Sequence, residues 1–300
     1  MSAKVSHGAI LGALSCVPDL DAALADYCGV LGLECVHRGV LDPELAASWG
    51  YAASAGRRMA LLRPASGFPC WYRLVEQPVP PDYRPTRSYG WASFELTVKD
   101  VFELREQVRD STFTVLGEPK EIAAIPFFVA MQALGSGGEM LYFNETRAMM
   151  PGTDLPFAVS RADQVFIVIL AAPDRQAATD WYRDRLKLDE ADTFRIPYSM
   201  INKAFAQPDD TLTALTMIQQ GRMPIVEIDE YPAAARLRPC LDGSLPPGNA
   251  LVTLAVRSLD ELGLDWIVAP RPRAEAPYLG ARAATVRGPA GELLELVELA

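Results

Sequence analysis

Two phrases in this chain occur twice, and their spacing constrains the fold more than any other feature. Asp19-Leu-Asp-Ala-Ala-Leu-Ala-Asp-Tyr27, followed by Leu31-Gly32-Leu33, is matched by Asp174-Arg-Gln-Ala-Ala-Thr-Asp-Trp-Tyr182, followed by Leu186-Lys187-Leu188. Gly138-Glu-Met-Leu-Tyr142-Phe-Asn-Glu145 is matched by Gly291-Glu-Leu-Leu-Glu295-Leu-Val-Glu298. Self-similarity at fixed spacing marks a duplicated structural unit. Overlaying the copies shows which positions are equivalent and therefore which side chains share an orientation.

Read in full, the chain contains four such units. Residues 8–16 are apolar and read as a buried strand. A helix follows, with Asp19 as N-cap, an apolar stripe of Leu20, Leu24, Tyr27 and Leu31, and Gly32 at its end. Cys35–Val40, Arg58–Leu62 and Trp71–Val75 supply three more strands, giving β-α-β-β-β. The second unit starts on the alternating strand Trp91–Val98, with a helix over Val101–Val108 and strands at Phe113–Leu116, Phe128–Ala133 and Glu139–Phe143. The third runs from Gln164–Leu170 through a helix at Asp174–Leu186 to Ile225–Asp229. The fourth starts at Ala250–Val256, has a short helix near Leu259–Leu264 and ends on Leu293–Leu299.

Proline and glycine mark the seams: Pro78–Pro81 after the first unit, Met150–Ser160 after the second, and Pro246–Gly248 after the third. This predicts two domains, 1–149 (modules at about 8–77 and 89–146) and 160–300 (modules at about 162–231 and 248–299).

The bulk chemistry limits partners. Net charge is −10, and the Lys and Arg residues are scattered, which argues against nucleic acid and anionic membrane. Five cysteines without a CxxC argue against a disulfide framework or structural zinc. The N-terminus shows no apolar signal core and no run approaches a membrane span, so the expectation is a reduced, cytoplasmic protein. A small molecule is the expected partner, with a homodimer left open.

Four β-α-β-β-β modules with Asp-Leu…Tyr…Leu-Gly-Leu in the helix resemble the vicinal oxygen chelate superfamily, which includes glyoxalase I, bleomycin-resistance proteins and type I extradiol dioxygenases. The resemblance implies an α+β fold in which modules pair into two eight-stranded, funnel-like barrels with the ligand inside. In metal-using members it also implies a His or Gln on each first strand, seven residues before the helix-starting Asp, and a Glu on each fourth strand, four residues after its Gly. Two imidazoles and a carboxylate suit a divalent metal that a chelating substrate can share.

Carried onto this chain, the first-strand positions are Gly12, Ser93, Ile167 and Leu251, none of them a ligand, and the fourth-strand positions are Arg73, Tyr142, Glu227 and Glu295. The chain has only two histidines, His7 and His37, both off pattern. No cofactor is therefore expected; the alternative is one Fe or Mn on off-pattern ligands.

With consecutive modules paired, Glu227 and Glu295 face each other across the second funnel as acid and base, beside Ile167 and Leu251, unless an arginine such as Arg282, Arg195 or Arg222 neutralises them. Ser199, Asn202 and Phe205, on a segment the family uses as a lid or pocket wall, would bind substrate. Ser93, Arg73 and Tyr142 would share the first funnel, with Arg73 either gripping an anionic oxygen or pairing with Glu95 or Glu76 as a plug. The function expected is metal-independent acid/base chemistry, as an isomerase, lyase or hydrolase, on an aromatic or oxygenated compound. The alternatives are an extradiol-type dioxygenase and a non-catalytic binding or resistance protein.

Overall fold

The computed structural model describes residues 5–122 and 125–299. Met1–Lys4, part of the N-terminus read above for a signal core, lie outside the described residues. Module one comprises β1 (Ile10–Val17), α1 (Leu20–Leu24), β2 (Leu33–Val40), α2 (Pro43–Ser48), β3 (Arg58–Pro64) and β4 (Trp71–Glu76). Module two comprises β5 (Gly90–Val98), α3 (Val101–Gln107), β6 (Thr114–Ile122), β7 (Ile125–Leu134) and β8 (Met140–Thr146). Module three comprises β9 (Ala162–Ala172), α4 (Arg175–Leu186), β10 (Asp189–Pro197), α5 (Ser199–Ala204), β11 (Leu212–Gln220) and β12 (Met223–Glu230). Module four comprises β13 (Gly248–Val256), β14 (Arg271–Pro272), β15 (Arg282–Arg287) and β16 (Leu293–Glu298). No membrane-length apolar helix is present among the described residues.

The repeated aspartates start the helices as their spacing predicts. Asp19 Oδ1 accepts from the backbone N–H groups of Asp21 and Ala22, and Asp174 Oδ1 from that of Ala177. Asp100 caps α3 in the same way. Module four departs from the pattern: Leu259–Leu264 closes as turns rather than a helix, with Gly263 at a positive φ of 54°.

Eight strands form each of two mixed sheets, in the orders β14-β15-β16-β13-β1-β4-β3-β2 and β10-β11-β12-β9-β5-β8-β7-β6. This corrects the division into halves. Module one shares a sheet with module four, through antiparallel β1–β13, and module two shares the other with module three, through β5–β9. All four of these strands are almost wholly buried, so each seam closes on apolar surface. The sequence copies show that units are equivalent but not which first strands meet. The proline-rich connections 77–89 and 231–247 each carry the chain from one sheet to the other, whereas 147–161 stays within one.

The repeat phrases tie the two sheets together. Tyr27 donates to Glu139 Oε1 at 3.3 Å, and its counterpart Tyr182 donates to Glu292 Oε1 at 2.9 Å. Each glutamate also accepts a backbone N–H from its own turn, Gly137 or Ala290, at 2.8 Å. The turns are superposable in detail: Gly138 and Gly291 both sit at φ 79°, and a Cβ on Gly135 or Gly288 would collide with the glutamate folded over it.

Candidate active site

The sheet of modules two and three holds three carboxylates on its concave face. Glu95 projects from β5; Glu227 and Asp229, two residues apart, project from the same face of β12. Glu95 and Asp229 are buried, whereas Glu227 is half-buried. None of them lies within salt-bridge distance of a Lys, Arg or His among the described residues.

Burial without a counter-ion dictates their protonation. Burial and the charge of Glu227 push both Glu95 and Asp229 well above the usual carboxylate range. Burial also pushes Glu227 up to about 7, opposed by hydrogen bonds from Asp229 and Tyr198. Burial thus favours the protonated form in all three carboxyls, and Glu227 lies near balance between its two states at neutral pH. Asn144 donates to Glu95 Oε2, and a phenol relay runs from Tyr142 to Tyr198 at 3.2 Å and from Tyr198 to Glu227 Oε1 at 3.2 Å. Burial keeps both phenols protonated.

Beside the relay lies a cavity of about 10 Å³, room for one water-sized atom, lined by Ser93, Tyr142, Ile169, Tyr198, Asp229 and Tyr231 among others. Met200 and Ile201 of α5 also border it. Ser93 Oγ and Asp229 Oδ1 are buried there without a hydrogen-bond partner. In the same sheet, Phe128, Ile167 and Met217 belong to an apolar cluster, with Met217 directly cross-strand from Glu227.

The expected site residues are divided by this architecture. Ser93, Tyr142 and Glu227 come together, joined by Glu95 and Asp229, which the sequence reading did not propose as catalytic or binding residues. Ser93 was placed by the family stencil; Glu95 and Asp229 carry a period-two signal on the same strand faces as Ser93 and Glu227. Asn202 is fully buried but braces a turn, its Nδ2 donating to the carbonyls of Asp209 and Thr211 at 3.1 and 3.0 Å. Ser199 is exposed at the start of α5. Phe205 stacks edge-on against Tyr231 at 5.9 Å, behind the cavity wall.

Glu295 does not face Glu227, because β16 and β12 belong to different sheets. Leu251 and Ile167 are likewise separated. Glu295, 1% exposed, accepts from Trp49 Nε1 at 2.9 Å, Tyr278 OH at 2.8 Å and Thr253 Oγ1 at 2.8 Å. Arg73 shares this sheet rather than that of Tyr142. Its partner is neither Glu95, in the other sheet, nor Glu76, which pairs with Arg58 at 3.0 Å. Instead Arg73 donates to Tyr278 OH at 3.3 Å and lies over the Trp49 ring at 5.0 Å. The indole of Trp71 covers Gly12, filling the equivalent ligand position. Of the arginines considered as neutralisers, Arg282 pairs with Asp260 and Glu298 and Arg222 with Asp154, none of them Glu227 or Glu295.

The metal set of the superfamily does not fit these residues. His7 Nε2 contacts the Leu186 carbonyl at 2.7 Å, and its Nδ1 accepts from the Arg257 N–H at 3.3 Å. His37 is exposed on β2. Among the described residues, no three His, Cys, Asp or Glu side chains form a metal-holding group. Glu95 and Glu227 are separated by β9, which puts their backbones two strand spacings, about 10 Å, apart.

Against solved structures, the chain is similar to glyoxalase I from Zea mays, with 16% identity over 97% of this chain and 92% of that one at a TM-score of 0.61. A variant of the maize protein gives 17% identity and a TM-score of 0.63, covering 97% of this chain and 92% of that one. A protein designated a dioxygenase from Bacillus subtilis gives 12% identity over 98% of this chain and 86% of that one, at a TM-score of 0.62. The chain therefore carries the vicinal oxygen chelate fold. No family model and no curated protein matches its sequence.

Proposed function

We infer that the protein is a small-molecule enzyme that moves a proton at carbon next to a carbonyl, with Glu227 as the base. The observation that carries this reading is Glu227 itself: a half-buried carboxyl, raised to about 7, that accepts from Tyr198 beside two further raised carboxyls and has no cation at hand. A base with a pKa near the working pH combines a useful ionised fraction with a strong pull on the proton. Glu227 takes the proton from carbon, the C–H electron pair becomes the C=C bond, and the carbonyl π pair moves to oxygen. Return of the proton to a different carbon completes an isomerisation; loss of a β-substituent makes it a lyase.

The apolar cluster of Phe128, Ile167 and Met217 supports an aromatic or otherwise largely apolar substrate body. The solved relatives include a glyoxalase and a designated dioxygenase, so the fold is compatible with small-molecule chemistry of more than one kind. No step is assigned to a metal, because the donor set does not fit one.

The test is solvent exchange. A panel of uncharged aryl ketones and enones is incubated in D2O with the wild-type protein and with Glu227→Gln, and deuterium at the carbon next to the carbonyl is followed by NMR. The reading requires catalysed exchange of at least one compound by the wild type and its loss in the variant.

A further inference from the structure

We propose that a cavity between the two sheets, closed on one side by the N-terminal segment, is a second binding site, and that it takes an uncharged single-ring aromatic molecule bearing an amide. The site is separate from the carboxyl cluster and does not depend on the reading of Glu227 as a base.

The cavity has a volume of about 230 Å³, and both sheets supply its walls. Ile10 of β1 and Phe68 of the β3–β4 connection line it from one side, Phe166 of β9 and Ile225 of β12 from the other. Its origin lies in strand pairing. β9 and β12 are paired only from Val168 and Val226 onward, and the residues before them leave a gap that the segment 5–11 covers without filling. That segment is held in place. His7 is engaged through both ring nitrogens, and Gly8, at φ 83°, packs so closely on Leu188 and Ile225 that a Cβ would meet them at 2.7 and 2.9 Å. Phe166 also stacks edge-on against Phe128 at 6.3 Å, so it is the wall that the cavity shares with the apolar cluster of the second sheet.

The lining selects the ligand. No charged side chain borders the cavity, so an ion entering it would lose its water and gain no counter-ion. Apolar cavities of about 150 Å³ take up benzene, so this one has room for a ring with a small substituent. Phe68 and Phe166 offer that ring aromatic contacts. Two glutamines then specify the substituent. Gln164 of β9 lines the cavity, is 7% exposed and makes no side-chain hydrogen bond among the described residues. Gln220, at the end of β11, also lines it, and its Oε1 is buried without a partner. A glutamine side chain has both a donor and an acceptor, and a ligand amide matches that pair by giving its N–H to Oε1 and accepting from Nε2. A plain hydrocarbon would fill the space and leave both glutamines unsatisfied.

The probe is benzamide, with benzoate as the anion of the same shape and toluene as the hydrocarbon. Binding is measured on the full chain by calorimetry, and located by the backbone amide signals that move in NMR spectra. Near-ultraviolet circular dichroism confirms that each variant is folded. Benzamide is expected to bind and to move signals within 5–11, 164–166 and 220–225. Benzoate and toluene should bind about tenfold more weakly or worse. Gln164→Leu should weaken benzamide by about tenfold and narrow its advantage over toluene. Met223→Trp, which adds bulk to the lining, should abolish binding, and Glu227→Gln should leave it unchanged.

The proposal is overturned if benzamide does not bind, as it would not if part of this or another chain filled the cavity. It is overturned equally if benzoate binds as tightly, if folded Gln164→Leu and Met223→Trp keep the wild-type affinity, or if the signals that move lie around Glu227 and Ser93 instead.

Discussion

Tyr182 of the third module donates its phenol proton to Glu292 of the fourth at 2.9 Å, and Tyr27 of the first stands in the same relation to Glu139 of the second at 3.3 Å. Each bond spans from one sheet to the other. The recurrence of tyrosine and Gly-Glu in the sequence is therefore the recurrence of an inter-sheet tie. Removing one phenol, as in Tyr182→Phe, leaves a buried carboxyl short of a donor and should lower unfolding stability by about 1–3 kcal/mol in denaturant titration.

The same ties set a pH dependence. Burial pushes Glu139 and Glu292 up to about 7, so between the ordinary carboxyl value near 4.5 and about 7 the folded chain holds more protons than the unfolded one. A raised pKa stabilises fully below 4.5, and the benefit is lost as pH rises through 7. Each glutamate contributes on the order of 3 kcal/mol to this swing. Urea midpoints should therefore fall between pH 5 and pH 8. Glu139→Gln combined with Glu292→Gln should flatten that slope.

In the sheet of modules one and four, Glu295 is an architectural group. Glu295→Gln leaves the buried Arg73 guanidinium without the carboxylate that Tyr278 relays to it, and should cost about 3–5 kcal/mol of stability. Per folded molecule, exchange activity should be unchanged, because β16 contributes nothing to the cavity beside Glu227. A loss of activity out of proportion to the folded fraction would place chemistry in this sheet as well.

Protein prepared without chelator should contain no stoichiometric iron or manganese by elemental analysis, and added Fe(II) or Mn(II) should leave exchange unchanged. The donors explain this expectation: both ring nitrogens of His7 are engaged, and the first-strand positions are Gly12, Ser93, Ile167 and Leu251.

The strands, the helix caps and the modular fold could be read from the chain because each depends on local pattern: period two in β5, an N-cap aspartate before α1 and α4, glycine at the turns. Module pairing depends on which buried first strands meet, and all four first strands are nearly uniform in burial, so nothing local separates β1–β5 from β1–β13. That one unreadable choice moved Glu295 away from Glu227, parted Arg73 from Ser93 and Tyr142, and brought Ser93 and Tyr142 to Glu227. Asp229 and Glu95 lie two residues along from stencil positions, and strand alternation puts them on the same face. Asn202 looked like a substrate ligand because it is polar on a family lid segment, but its amide nitrogen is bound to the carbonyls of Asp209 and Thr211.

The most direct measurement is the pH profile of exchange by wild type and by Glu227→Gln, using the best ketone of the panel. The account predicts a wild-type rate that rises through about pH 7 as Glu227 ionises, and a variant rate lower by about 10²–10⁴-fold with no such rise. A Glu227→Gln protein that keeps the wild-type rate and the same inflection would contradict it.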